Sequence, residues 1–127
     1  MKKAELIEES LLKQCLAAGG SVALGRVVRL ESSYEGTRNA QVTIYLEIEQ
    51  VLYGKLPRQV NYWVYGSPED LKLPPRLMLA VHSLPEGTDE VETIASVGVP
   101  EGLESEAVQA HQQLLAKLGK SPAALGQ

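Results

Sequence analysis

The sequence predicts a mainly β fold, a five-stranded antiparallel Greek-key barrel with a helix at each end. Five short stretches between Ser21 and Val99 carry strand-like apolar patterns and are separated by turn residues. Helical spacing of apolar residues occurs only near the two ends of the chain, so no helix connects neighbouring strands in parallel. A length of 127 residues suits one hydrophobic core, and we expect a single domain over residues 1–127.

The first predicted element is a helix over residues 3–18. Acidic residues near its start suit the positive end of the helix dipole. Gly19 and Gly20 predict its end, because glycine readily adopts the left-handed conformation that follows many helices. The apolar residues recur every one to four positions and form one stripe: Leu6, Ile7, Leu11, Leu12, Cys15 and Leu16.

The predicted β-barrel covers residues 21–99. Gly25 lies inside the first strand and predicts a bulge or a sharp bend. The second strand, 42–48, alternates most regularly, with Val42, Ile44, Leu46 and Ile48 on one face. The third strand, 59–65, places Val60, Tyr62 and Val64 on its apolar side. The fourth, 77–82, is almost continuously apolar and is therefore predicted to be central, and the fifth covers 91–97.

The last predicted helix covers residues 103–118, Gly119 ends it, and 119–127 is expected to be a frayed tail. The connection between strands three and four is longer than the others, and Ser67 and Pro68 predict a short helical turn there. This connection, the strand count and Gly25 favour the OB-fold, a partly open five-stranded Greek-key barrel.

Residues 23–66 resemble the netrin-like family, which includes the tissue inhibitors of metalloproteinases. The similar stretches are 23–28 and 42–57. The second contains Val51-Leu52-Tyr53-Gly54, which matches the family's V-L-x-G turn. Residues 77–81 are similar to the next family strand. The resemblance implies an OB-type barrel. Family inhibitors chelate a protease zinc with an amino-terminal cysteine, but this chain has a predicted helix there and only Cys15, so no residue inherits that role.

Charge and composition disfavour several classes of protein. Acidic residues outnumber basic ones 16 to 12, and the net charge of −4 disfavours a general affinity for nucleic acid. The single cysteine excludes an internal disulfide and a cysteine-based zinc cluster. No stretch reaches the roughly 18 apolar residues that a membrane span requires. We expect the protein to be cytoplasmic if the chain begins at its natural start, and exported if a signal peptide was removed.

No catalytic or metal-binding motif is present, so we predict no catalytic residue, no metal ligand, no cofactor and no enzymatic activity. His82 and His111 lack a closely spaced partner ligand, and both are interpreted as structural. Cys15 lies on the apolar helical stripe and is interpreted as a core residue. Glu47 and Glu49 are interpreted as the solvated side of a two-faced strand.

The candidate binding residues are Tyr45, Trp63 and Tyr65, with Arg38 and Arg58 in the flanking loops. If strands two and three pair antiparallel, the three aromatic side chains lie opposite the apolar face, where OB-folds bind single strands or peptides. Alternatively, the terminal helices cover this patch; we favour that arrangement because two amphipathic helices need a docking surface. Because no catalytic arrangement is visible and the apolar helices exceed what a five-stranded barrel needs, we expect a protein-interaction or self-association domain, with single-stranded nucleic-acid binding as the alternative.

Overall fold

The computed structural model describes residues 4–83 and 87–119, which contain a mainly β fold with a helix at each end, as predicted. The predicted tail lies outside these residues apart from Gly119. Neither described helix is long and apolar enough to span a membrane. The elements in chain order are α1 (Glu9–Ala17), β1 (Ser21–Ser33), β2 (Gln41–Tyr53), β3 (Gln59–Tyr65), β4 (Arg76–Val81), β5 (Thr93–Val99) and α2 (Glu104–Lys117).

The strands form one sheet in the order β3-β2-β1-β4-β5, and every neighbouring pair is antiparallel. The bulge predicted at Gly25 is confirmed, because the register of β1 against β2 shifts between Leu24 and Gly25. β4 lies inside the sheet, as its apolar run predicts. Among the described residues the sheet does not close. A single parallel bridge, Asn61 to Glu90, connects the edge strand β3 to the segment before β5.

The apolar residues form two cores on the two faces of the sheet. On one face, the first core joins Leu12 and Cys15 of α1 and Leu115 of α2 to side chains of β1 and β4 such as Val22 and Met78. The second core lies on the other face and contains Val42, Ile44, Leu46, Val60, Tyr62, Leu77, Leu79, Val81 and Val91. Successive residues of β4 therefore alternate between two cores, which explains its unbroken apolar sequence.

The terminal helices do not cover the aromatic patch of β2 and β3, so the docking arrangement favoured from the sequence is wrong. α1 packs against β4 and β5, and α2 lies near the end of β2. The reason is that β4 and the first half of β1 offer the helices an apolar surface of their own, including Leu24 and Ala80. Burying that surface removes apolar area from water, which favours docking of the helices there.

The first helix begins later than predicted. Residues 4–8 are not helical, and Glu8 has the extended backbone angles φ −53° and ψ 134°. Ile7 is buried, and its backbone N–H donates to Nε2 of the buried His111 at 3.1 Å. In a helix that begins at residue 3, the Ile7 N–H would donate to the carbonyl four residues earlier, so the bond to His111 of α2 takes the place of a helical bond.

Ser21 joins the start of β1 to the turn after β2. Its hydroxyl donates to the Lys55 carbonyl at 3.0 Å and accepts from the Lys55 N–H at 3.1 Å. The neighbouring Gly54 has φ +81°, and a Cβ there would overlap the Ser21 hydroxyl. The turn predicted from Tyr53-Gly54 is thus closed by a side chain 34 residues away.

Replacing Ser21 with alanine should lower the free energy of unfolding by about 1–2 kcal/mol, because both partners on Lys55 lose a partly buried hydrogen bond. Urea unfolding measures the change. The matched control is Ser67→Ala. The Ser67 hydroxyl donates to Asp70 in an exposed turn, and its removal should change the free energy of unfolding by less than about 0.5 kcal/mol. Equal effects of the two substitutions would contradict the role of Ser21.

Candidate functional site

The predicted aromatic residues share one face of the β2–β3 pair, which we call the aromatic strip (Tyr45, Trp63 and Tyr65). In the β2–β3 register Tyr45 lies opposite Asn61, and Trp63 opposite Thr43. Their strand neighbours point the other way, into the second core. Trp63 is 42% exposed and Tyr65 is 66% exposed, so most of the strip faces solvent.

The strip consists of two separate contacts. The rings of Trp63 and Tyr65 meet edge to face, with centroids 5.0 Å apart and an interplanar angle of 86°. The Tyr45 ring instead lies under the guanidinium of Arg29, whose Cζ is 4.0 Å from the ring centroid. Sequence reasoning missed Arg29, because the β1–β2 register that places it opposite Tyr45 is irregular between Val27 and Arg29.

The two predicted arginines lie at opposite ends of the strip. Arg38 is exposed in the hairpin between β1 and β2, near the Tyr65 end, where Gln41 pairs with Tyr65. Arg58 is exposed just before β3, at the other end. A seven-residue strand is roughly 23 Å long, so the two side chains do not converge on Trp63.

Acidic residues, rather than basic ones, lie beside Trp63. A depression of about 460 Å³ separates β3 from the segment before β5 and is lined by Tyr62, Trp63, Glu90, Val91, Glu92 and Thr93. Both glutamates are exposed, and Oε1 of Glu92 is 4.0 Å from Nε2 of His82. Sequence reasoning missed these acids, because the single bridge between Asn61 and Glu90 brings them to the strip.

Within residues 4–83 and 87–119, the outward edge of β3 is paired only near its beginning. The Asn61 N–H donates to the Asp89 carbonyl at 2.9 Å, and its carbonyl accepts from Val91 N–H at 2.8 Å. No strand pairs with the edge beyond this point in the described part of the chain. The depression begins where the two segments diverge.

The remaining candidate groups have structural surroundings. Cys15 is buried, its Sγ lies 3.5 Å from the carbonyls of Ser21 and Val81, and burial raises the pKa of its thiol. His111 is buried, and its ring accepts the N–H of Ile7 in the segment before α1. Across residues 4–83 and 87–119, no group of three or more His, Cys, Asp or Glu side chains is arranged to hold a metal ion.

Glu47 and Glu49 belong to a partly exposed network of ion pairs rather than a freely solvated face. Arg26 approaches both carboxylates at 3.6 and 3.9 Å. Arg76 contacts Glu49 at 2.6 Å and Glu104 of α2 at 3.3 Å, so it connects β4, β2 and α2. This arrangement fixes the two glutamates in ion pairs and leaves neither as an isolated acid or base.

No protein-family model, curated protein or solved structure matches this chain.

Proposed function

We propose that this protein is a non-catalytic interaction domain that binds another protein, or a second copy of itself, through the aromatic strip. The observation that carries the proposal is the exposure of Trp63 and Tyr65 on a sheet face that neither helix covers. Tryptophan and tyrosine are enriched at protein interfaces, because they bury a large area with few rotatable bonds.

The charges around the strip favour a protein partner over a nucleic acid. Glu90 and Glu92 line the depression beside Trp63 and would repel phosphates from any base stacked there. Arg38 and Arg58 lie at opposite ends of the strand pair. Arg29 already occupies the face of the Tyr45 ring, so its guanidinium is engaged there.

We also propose that the sheet is an opened OB-type barrel of the netrin-like kind. Joining β3 to β5 would turn the order β3-β2-β1-β4-β5 into a ring, and the Asn61–Glu90 bridge is a contact of that kind. In this fold the β2–β3 face is the usual binding surface, and the aromatic strip lies on it.

Affinity capture from native lysate, together with analytical ultracentrifugation, tests the proposed function. The wild-type protein should retain a partner or dimerise, and W63S/Y65S should weaken that association by about tenfold or more, since interface anchors of this type contribute about 2 kcal/mol. The control L6S/Y34S removes two exposed apolar side chains outside the strip and should leave association unchanged. A monomer that retains nothing, or equal loss in both variants, would contradict the proposal.

Fluorescence titration with single-stranded oligonucleotides at low salt tests the alternative ligand. Trp63 is the only tryptophan, so its emission reports on the strip directly. We expect no quenching, because the neighbouring acids disfavour phosphate. Quenching that weakens as salt rises would favour a nucleic-acid binder.

A further inference from the structure

We propose that the open edge of β3 binds an extended basic peptide as an added strand, with its cationic side chains beside Glu90 and Glu92. This inference rests on the proposed function and specifies the partner: an extended segment in which basic and apolar residues alternate. Strand addition at an exposed sheet edge is a recurring mode of peptide recognition, in which backbone hydrogen bonds supply affinity and alternate side chains supply specificity.

The backbone of β3 has hydrogen-bonding groups on its outward edge that no other described strand uses. Asn61 directs its N–H and C=O away from β2, toward residues 89 and 91. Backbone groups alternate in direction along an antiparallel strand, so Trp63 and Tyr65 direct theirs to the same side. The structure pairs neither residue on that side with another strand in the described ranges. Residues two apart recur about every 7 Å, which matches alternate residues of an extended peptide.

The side-chain environment of the edge differs on its two faces. On one face the depression is bounded by buried Tyr62 and Val91 of the second core. On the other lie exposed Trp63 and the carboxylates of Glu90 and Glu92. Because strand side chains alternate between faces, apolar residues of the peptide would meet the core, and basic residues would meet the acids and the indole ring.

Charge favours a basic peptide over a second copy of the chain. Asp89, Glu90 and Glu92 are all exposed within four residues of one another, and the whole chain carries a net charge of −4. Edge-to-edge pairing of two copies would bring these acidic groups together. A lysine- or arginine-bearing strand would instead be attracted to them and steered toward the edge.

Titration with synthetic eight-residue peptides tests the inference, with Trp63 fluorescence and calorimetry as readouts. The first peptide alternates lysine and valine, the second has the same sequence with alternate backbone nitrogens methylated, and the third replaces lysine with glutamate. We expect the first to bind and the other two to bind at least about tenfold more weakly. Equal binding of the methylated peptide, or no binding of the first, would overturn strand addition.

Two pairs of variants locate the binding on the protein. Tyr65→Pro removes an N–H that the β2–β3 ladder does not use, and Tyr65→Thr keeps it while removing the same ring. Tyr65→Pro should weaken binding about tenfold more than Tyr65→Thr, because only the proline variant lacks the N–H as well as the ring. E90K/E92K should weaken binding more than E35K/E106K, which changes the net charge equally at exposed sites elsewhere. Equal effects within either pair would overturn the proposed location.

Circular dichroism checks that each variant is folded. If Tyr65→Pro is unfolded, the methylated peptide on the wild-type protein decides the role of the backbone. Partner capture that depends on Trp63 and Tyr65, combined with peptide binding that is insensitive to methylation, refutes strand addition and leaves the proposed function standing. If the wild-type protein neither captures a partner nor binds the first peptide, both proposals are refuted.

Discussion

Replacing Gly20 with alanine is expected to lower the free energy of unfolding by about 3 kcal/mol or more. A Cβ at this position would overlap the carbonyl oxygen of Val81 and lie 2.8 Å from the Sγ of Cys15. Both neighbours are buried, and the Val81 carbonyl belongs to β4, so relief requires α1 or the sheet to move. Chemical denaturation measures the loss, and we also expect a lower thermal midpoint.

Gly19→Ala is the matched control. Gly19 has φ +71° and no atom within 4 Å of an added Cβ, so alanine there introduces only the strain of a left-handed conformation, about 1 kcal/mol. The two adjacent glycines are therefore required for different reasons, one for close packing and the other for backbone conformation. A larger loss at Gly19 than at Gly20 would contradict this packing of α1 on β4.

Replacing His111 with leucine is expected to destabilise the protein by about 2 kcal/mol at neutral pH. Nε2 accepts the Ile7 N–H at 3.1 Å, and Nδ1 therefore carries the proton and donates to the Ala107 carbonyl at 2.7 Å. Leucine occupies similar space but leaves the buried Ile7 N–H without an acceptor. Urea unfolding of the variant measures the difference.

The same substitution should reduce the dependence of stability on acid. Burial lowers the pKa of His111 below the ordinary value of about 6.5, so the folded protein holds the neutral ring. Below about pH 6.5 the unfolded chain binds a proton that the folded chain does not, and stability falls by up to about 1.4 kcal/mol per pH unit until the folded pKa is reached. His111→Leu should remove this part of the dependence of stability on pH. His82→Leu, at a partly exposed site, should leave this dependence in place. An unchanged slope in His111→Leu would contradict the assignment.

The strands were predictable because at least one face of each is buried. Ile44 and Val60 alternate with polar neighbours, and the second core requires that register. The start of α1 was not predictable, because the bond that holds Ile7 in an extended segment comes from His111, 104 residues away. The docking of the helices was predictable in principle, since the unbroken apolar run of β4 indicates a strand covered on both faces.

The candidate site was predictable only in part. Strand periodicity places Trp63 and Tyr65 on one side of β3, opposite buried Tyr62. It does not bring Glu90 and Glu92 to Trp63, because that neighbourhood depends on a single parallel bridge between segments about 30 residues apart. Period-two patterns describe the faces of a strand, whereas the surroundings of an edge are determined by long-range pairing.

Acrylamide quenching of the single tryptophan tests most directly whether the strip is open. Trp63 lies on a face that neither helix covers. Acrylamide quenching of the native protein should therefore reach a large fraction of the quenching measured for the protein unfolded in urea. Its spectrum should already be shifted toward the red before unfolding. Native emission that acrylamide scarcely quenches would place the indole beneath other parts of the chain, and the proposed binding surface would not exist.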